Sequence, residues 1–277
     1  MTTSNDKQAF EQPADFLQVS EQTYALLANL GDEDFKRSTR FKNWTIDEIV
    51  AHLHVWNWAA EQVLVDVSVF QRFVADFLAL KDPTGLRRYE RSWLGPLHGQ
   101  ALLKAWREQY VKTAERFQTV DPKMRTKWVG PDMSARSNIS ARLMETWAHS
   151  QAIFDLLGVQ RIDTDRIRNV AVMGINTFDW TFINRKQPVP GVRPYIRLTA
   201  PSGAIWTWND ESEIDRIEGS ATQFCQVVAQ TRNITDTNLK VLGDSATSWM
   251  SIAQCFAGVP QPPPAPGTRF MEPKAVG

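Results

Sequence analysis

The segment Pro188-Val-Pro-Gly-Val-Arg-Pro194 divides this 277-residue chain into two textures. Proline lacks an amide donor and pushes the residue before it into extended backbone, so neither a helix nor a central strand runs through such a stretch. Before it, apolar residues recur at the helical period; after it, they alternate. The alternating part reads as a hairpin, Tyr195-Ile-Arg-Leu-Thr-Ala200 and Ala204-Ile-Trp-Thr-Trp208 around a Pro201-Ser-Gly203 turn. A third strand is expected at Asp215-Arg-Ile-Glu-Gly219, then a helix capped by Ser220 to about residue 230 and another capped by Asp244 to about residue 257.

The helical part predicts four helices, over residues 13–30, 45–80, 97–120 and 137–157, with Asp82-Pro-Thr-Gly85 and Gly130-Pro-Asp132 as breakers. Leu26, Leu27, Leu102, Leu103, Trp106 and Phe117 mark the inner faces of the first and third. A fifth helix, over 164–183, leads toward the proline-rich break. The expected fold class is α+β: a four-helix bundle with long connections, a setting where side chains of facing helices converge, and a small α+β domain. The domain division is 12–160 for the bundle, 161–190 for the connecting helix and linker, 191–260 for the small domain and 261–277 for a mobile proline-rich tail.

Two of the helices carry ionisable groups inward. Thr45 and Glu48 form a T-x-x-E capping box ahead of Ile49, Leu53, Trp56, Ala60 and Val63. His52 falls in that stripe, about 40° from Trp56, whereas His54 is turned about 200° from His52. On the last of the four, Leu143, Trp147, Ile153 and Phe154 mark the buried side and Gly158 closes the helix. Glu145 and His149, four residues apart, share one face and lie toward that side. A buried carboxylate and imidazole are costly unless paired or metal-bound. Two imidazoles and one carboxylate suit a catalytic divalent ion with open positions: zinc, nickel, manganese or ferrous iron. The alternative is a set of hydrogen-bonded core polar residues.

Equal numbers of acidic and basic residues, 31 each, argue against nucleic acid as the main partner. No apolar run reaches the ~18 residues needed to span a bilayer, and Met1-Thr-Thr-Ser-Asn-Asp-Lys7 lacks the charged and apolar regions of a signal peptide. Cys225 and Cys255, outside any C-x-x-C context, read as core residues of a cytoplasmic protein. Most of the eleven tryptophans read as core. Trp56 and Trp147 neighbour the inward ligand candidates, and Trp206 and Trp208 share one face of a strand.

Trp44-Thr45 followed by His52-Leu53 at the opening of a helix resembles the second helix of the DinB-like metalloprotein superfamily. Arg142-Leu-Met-Glu145-Thr-Trp147-Ala-His149 is similar to the fourth helix of its mycothiol-dependent maleylpyruvate isomerase branch. The resemblance runs from about residue 12 to 260. Gly219-Ser220-Ala221 with Phe224, and Val241 with Gly243-Asp244, resemble the sterol-carrier-like C-terminal domain of that branch. It implies His52, Glu145 and His149 as ligands of a metal, zinc first, and Arg232 as a cleft-facing catalytic residue that holds a carboxylate by a bidentate pair. It also implies a low-molecular-weight thiol cofactor such as mycothiol or glutathione. Where relatives place an acidic step after the last histidine, this chain has Ser150-Gln151-Ala152, which leaves Asp155 as the carboxylate to orient an imidazole. Arg142 is placed to pair with Glu145.

The expected activity is that of a metal-dependent isomerase or thiol transferase on a small unsaturated carboxylate or thioester. The alternatives are a metal-dependent hydrolase or hydratase, and a non-catalytic metal-containing protein that binds an apolar ligand. A structural metal is normally closed by a fourth protein ligand, and no cysteine or further histidine stands near these motifs except His54 on the wrong face.

Overall fold

A computed structural model describes residues 10–80 and 85–270. Helix α1 (Gln12–Leu27) starts with Pro13 in its first turn and buries Phe16, Val19, Thr23 and Leu27, a stripe at helical spacing. After the single turn α2 (Asp32–Phe35) comes α3 (Ile46–Val65), opened by the expected capping box. The Glu48 amide donates to Thr45 Oγ1 at 3.1 Å, and the Thr45 amide donates to Glu48 Oε2 at 2.8 Å.

The helix expected over 45–80 is two helices. Asp66, at φ −150°, leaves the helical region and its carboxylate accepts the amides of Ser68 and Val69 at 3.0 and 3.3 Å. It thereby starts α4 (Val67–Leu78), because an aspartate that satisfies free N-terminal amides competes with continuation of the preceding helix. The breaker Asp82-Pro-Thr lies outside the described residues, as do Met1–Lys7. An unexpected helix, α5 (Gly85–Leu94), follows, then α6 (Gly99–Gln118). A short antiparallel pair, β1 (Arg125–Thr126) and β2 (Met133–Ser134), brackets the Gly130-Pro breaker. Ser134 then accepts from the Ser137 amide to start α7 (Ala135–Leu157), which Gly158 ends at φ +67°. Helices α1, α3, α6 and α7 pack against one another, and α5 lies along α3.

The expected fifth helix is a 3-10 turn (Asp165–Ile167), then α8 (Arg168–Asn176) and α9 (Phe178–Ile183). The hairpin forms as read: β3 (Tyr195–Thr199) pairs antiparallel with β4 (Ile205–Trp208), Ile196 opposite Trp208. Strand β5 (Arg216–Ser220) runs parallel to β3, and β6 (Lys240–Leu242) completes the order β4-β3-β5-β6. Helices α10 (Ala221–Val228) and α11 (Asp244–Ile252) follow β5 and β6 respectively. Asp244 is not the cap of α11. Gly243 holds that position at φ +89°, where a Cβ would stand 2.4 Å from the Ile214 carbonyl oxygen, and Asp215 accepts the Ser245 and Ala246 amides at 3.0 and 2.9 Å. The chain is thus α+β.

One continuous cluster of buried apolar side chains runs from Phe16 to Cys255 and joins the helical part to the sheet. Cys225 and Cys255 lie in it as free thiols. Within it α8 and α10 approach closely: a Cβ on Gly174 would stand 2.7 and 3.0 Å from Val228 side-chain atoms. Gly174→Ala is expected to gain about 1 kcal/mol of helix propensity and lose about 1–3 kcal/mol to overpacking, a net destabilisation seen in urea unfolding. Val228→Ala in the same chain should recover part of it.

Part of the proline-rich tail makes hydrogen bonds to the rest of the chain as far as Arg269. Gln230 and Arg185 donate to the Gln261 carbonyl, Asn233 to that of Pro264, and Arg269 to that of Arg40. Residues 271–277 lie outside the described residues. Among the described residues no helix is long and apolar enough to cross a membrane.

Candidate metal centre

Helices α3 and α7 pack face to face and bring His52, Glu145 and His149 together. Glu145 Oε2 lies 3.3 Å from His52 Nε2 and 3.1 Å from His149 Nε2, and the two rings stand 4.8 Å apart. One donor atom from each of the three residues lies within 4.8 Å of the others. Two ligands about 2.0–2.1 Å from one ion in tetrahedral array stand roughly 3.3 Å apart, so the donor set fits a divalent ion. Among the described residues no fourth histidine, cysteine or carboxylate joins the group. That is the composition of an open site.

Charge around the three is tightly coupled. Burial alone would lower the pKa of His52, but the Glu90 and Glu145 carboxylates outweigh it and push it from 6.5 up to about 9. Burial would raise Glu145, yet hydrogen bonds from His149 and His52 hold it well below the usual carboxylate range. His149 is pushed down, first by burial and then by the charge on His52, against the pull of Glu145. His52 therefore stabilises the metal-free fold fully below pH 6.5, and that contribution is lost as pH rises through about 9. Glu145 contributes above the ordinary carboxylate range and is lost only as pH falls through its depressed value. In the metal-free protein, urea unfolding is expected to show a fall on the order of 3 kcal/mol between pH 6.5 and 9. An ion held by His52 would take the place of that proton, so protein loaded with zinc should show a smaller fall.

Aromatic rings wall the site. Trp44 stacks on His149 at 5.6 Å and 10° and meets His52 edge-on at 5.5 Å; Phe41 meets His149 edge-on at 5.0 Å. Both rings are placed by a turn in which Lys42 and Asn43 take positive φ. Trp56 lies on the far side of His52, against Phe73, Phe77 and Trp128. Trp147, the other tryptophan beside the ligand candidates, turns away: its Nε1 donates to Asp163 and Arg161 stacks on it. His54 is buried elsewhere, its pKa lowered to about 4 by burial, with Trp93 beside it. Trp206 and Trp208 of β4 face the Arg168 guanidinium of α8.

Arg142 and Asp155 depart from expectation. Arg142 is 2 % exposed and does not bond Glu145; its Nε donates to Asn57 Oδ1 at 3.1 Å and its Nη2 has no partner. Burial pulls its pKa down against the pull of Glu145 and Glu90. Arg232 is committed to Asp155 through two bonds of 2.9 and 2.7 Å and to the Thr231 carbonyl at 2.8 Å. Asp155, engaged by Arg232 and Gln151, orients no imidazole. The carboxylate that does so is Glu90 of α5, which accepts from His52 Nδ1 at 2.7 Å and from Trp56 Nε1 at 2.8 Å through the same oxygen. Glu90 is 1 % exposed. A cleft of about 760 Å³ runs between α3 and α5, lined by Glu48, Ala51, Arg87, Glu90 and Arg91. Arg87 spans from Glu48 to the ring of Trp44.

Residues 16–154 match the family described as mycothiol maleylpyruvate isomerase N-terminal domain. Uncharacterized proteins from two strains of Mycobacterium tuberculosis are 33 % identical over 247 residues, covering 89 % of this chain and 95 % of their own length. Among solved structures, the mycothiol-dependent maleylpyruvate isomerase superposes with a TM-score of 0.50 at 13 % identity, over 83 % of this chain and 92 % of that one. A variant of that enzyme with one histidine replaced by alanine gives 0.51 at 14 % over the same shares. At that identity the likeness is one of fold.

Proposed function

Because the chain belongs to the mycothiol maleylpyruvate isomerase N-terminal domain family, we propose that it is a divalent-metal-dependent enzyme that uses a low-molecular-weight thiol, mycothiol first, on a small unsaturated carboxylate or thioester. In this reading α1, α3, α6 and α7 are the DinB-like bundle of residues 12–160, and 191–260 is a sterol-carrier-like domain reached through 161–190. The observation that carries the reading is the convergence of His52, Glu145 and His149, with no fourth protein ligand among the described residues, inside aromatic walls.

His52, His149 and Glu145 would hold the ion, zinc first, with nickel, iron or manganese as alternatives. The bound ion supplies Lewis acidity that lowers the pKa of a thiol at neutral pH. Glu145 remains a carboxylate at that pH, since the two imidazoles depress its pKa. Trp44 and Phe41 hold the His149 ring in place and restrict solvent on that side. Arg142 keeps a positive charge one turn from Glu145, which favours an anionic ligand over a neutral one. A thiolate that adds to an activated double bond leaves a single bond free to rotate. Its expulsion then restores the double bond as the trans isomer; its retention, with the proton the thiol released delivered to carbon, gives a thiol adduct. Arg232 serves this reading by holding the C-terminal part against α7 through Asp155.

The test is a turnover assay of the untagged protein with maleylpyruvate and related cis-unsaturated acids. Cis–trans conversion that needs both mycothiol and a divalent ion is expected. Water addition or hydrolysis without thiol would replace this reading with a hydratase or hydrolase.

A further inference from the structure

We propose that Glu90 is the positioning residue of the metal centre: its carboxylate fixes His52 as an Nε2 ligand. The inference rests on the metal reading above but goes beyond its three ligands. Glu90 Oε1 takes a hydrogen bond from His52 Nδ1 at 2.7 Å, shorter than either contact inside the triad, and a second from Trp56 Nε1 at 2.8 Å. With Nδ1 donating, the lone pair of the neutral ring stands on Nε2, which faces Glu145 and His149. The tautomer and the rotation of the ring are therefore set by Glu90, as carboxylate partners of metal-bound histidines do elsewhere.

Glu90 is itself fixed from three directions. Trp56 Nε1 holds its oxygen from α3. The arginines on either side of it in sequence tie α5 to the first turn of α3: Arg87 Nη1 to Glu48 Oε1 at 3.0 Å and Arg91 Nη1 to Asp47 Oδ2 at 2.8 Å. Tyr89 donates to the Phe73 carbonyl of α4 at 3.2 Å. A buried carboxylate this enclosed is costly without donors, and the two it has are the ligand ring and the tryptophan beside it. Among the described residues no carboxylate holds the second nitrogen of His149 as Glu90 holds that of His52; the His149 ring packs against Trp44 and Phe41. The two imidazoles are thus positioned by different means, one by charge and one by stacking.

The experiment is zinc affinity of the full-length protein by competition with a chromophoric chelator, for wild type, Glu90→Ala and Glu90→Gln, with circular dichroism for folding and visible spectra after cobalt substitution. Glu90→Ala is expected to weaken zinc by about 10–100-fold and to alter the cobalt bands, because His52 loses its orientation. Glu90→Gln keeps an acceptor oxygen but not the charge, and should weaken zinc by about threefold to tenfold with cobalt bands close to wild type. If Glu90→Ala does not fold, the glutamine variant decides. Folded variants with wild-type zinc affinity and cobalt bands would overturn the proposal, leaving Glu90 a structural residue. A wild type that binds no metal would overturn the metal reading beneath it, which the wild-type arm distinguishes.

Discussion

Glu145→Gln is expected to abolish thiol-dependent turnover and strip the ion from the purified protein while leaving the helices formed. Glu145 is the one carboxylate that touches both ligand imidazoles, through a single oxygen at 3.1 and 3.3 Å. It supplies the negative charge of the donor set, and with it gone an ion meets two neutral rings beside the buried Arg142 cation. Substitutions one layer further out cost roughly 10–100-fold in metal affinity or activity, so the loss of the ligand charge itself should exceed about 100-fold. A second effect follows from His52. Part of the upward pull on its pKa comes from Glu145, so the glutamine variant should lose some of its stability advantage near pH 6. Metal analysis, turnover and urea unfolding on the same preparation separate the two. Wild-type turnover in Glu145→Gln would remove this residue from the site.

Replacing Arg232 with leucine is expected to act on stability first. Arg232 and Asp155 side chains are 6 % and 12 % exposed and joined by two bonds. Removing one partner of a buried pair leaves the other charge uncompensated, which costs about 3–5 kcal/mol. Gln151 still donates to Asp155 at 2.9 Å, which places the expectation near the lower end, about 3 kcal/mol. Asp155→Leu in the same chain should recover a large part, since well-packed apolar pairs replace buried ion pairs at little cost. A residue that held the substrate's carboxylate would behave otherwise: turnover at low substrate would fall while the urea midpoint stayed at the wild-type value.

The convergence of His52, Glu145 and His149 was legible because ionisable groups on the inner faces of two helices violate the cost of burying charge, and the violation shows in helical spacing alone. The capping box at Thr45, the glycine stop at Gly158 and the hairpin after Pro194 were legible for similar reasons, each a local rule with a fixed residue signature. Asp66 was not. In an apolar-periodic run one aspartate reads as a solvated residue, and only the Ser68 and Val69 amides on it show that a new helix starts there. Helix α5 was hidden although Leu86, Tyr89, Trp93 and Leu94 recur at helical spacing, because Arg87, Arg88, Glu90 and Arg91 between them make the segment polar overall. Glu90 was hidden with it, a carboxylate among arginines whose partners lie 34 and 38 residues away. The stacking of Trp44 on His149 depends on Lys42 and Asn43 in left-handed backbone. Of those two residue types only asparagine hints at that conformation.

The most direct test of a metal centre at His52, Glu145 and His149 is the metal content of untagged wild-type protein by plasma mass spectrometry, beside His52→Ala. About one equivalent of a divalent metal per chain in the wild type, lost in the variant with circular dichroism unchanged, is the predicted result. A wild type that carries none, and takes up none from zinc, nickel, iron or manganese, contradicts it; the three residues would then be a hydrogen-bonded polar cluster in the helix core.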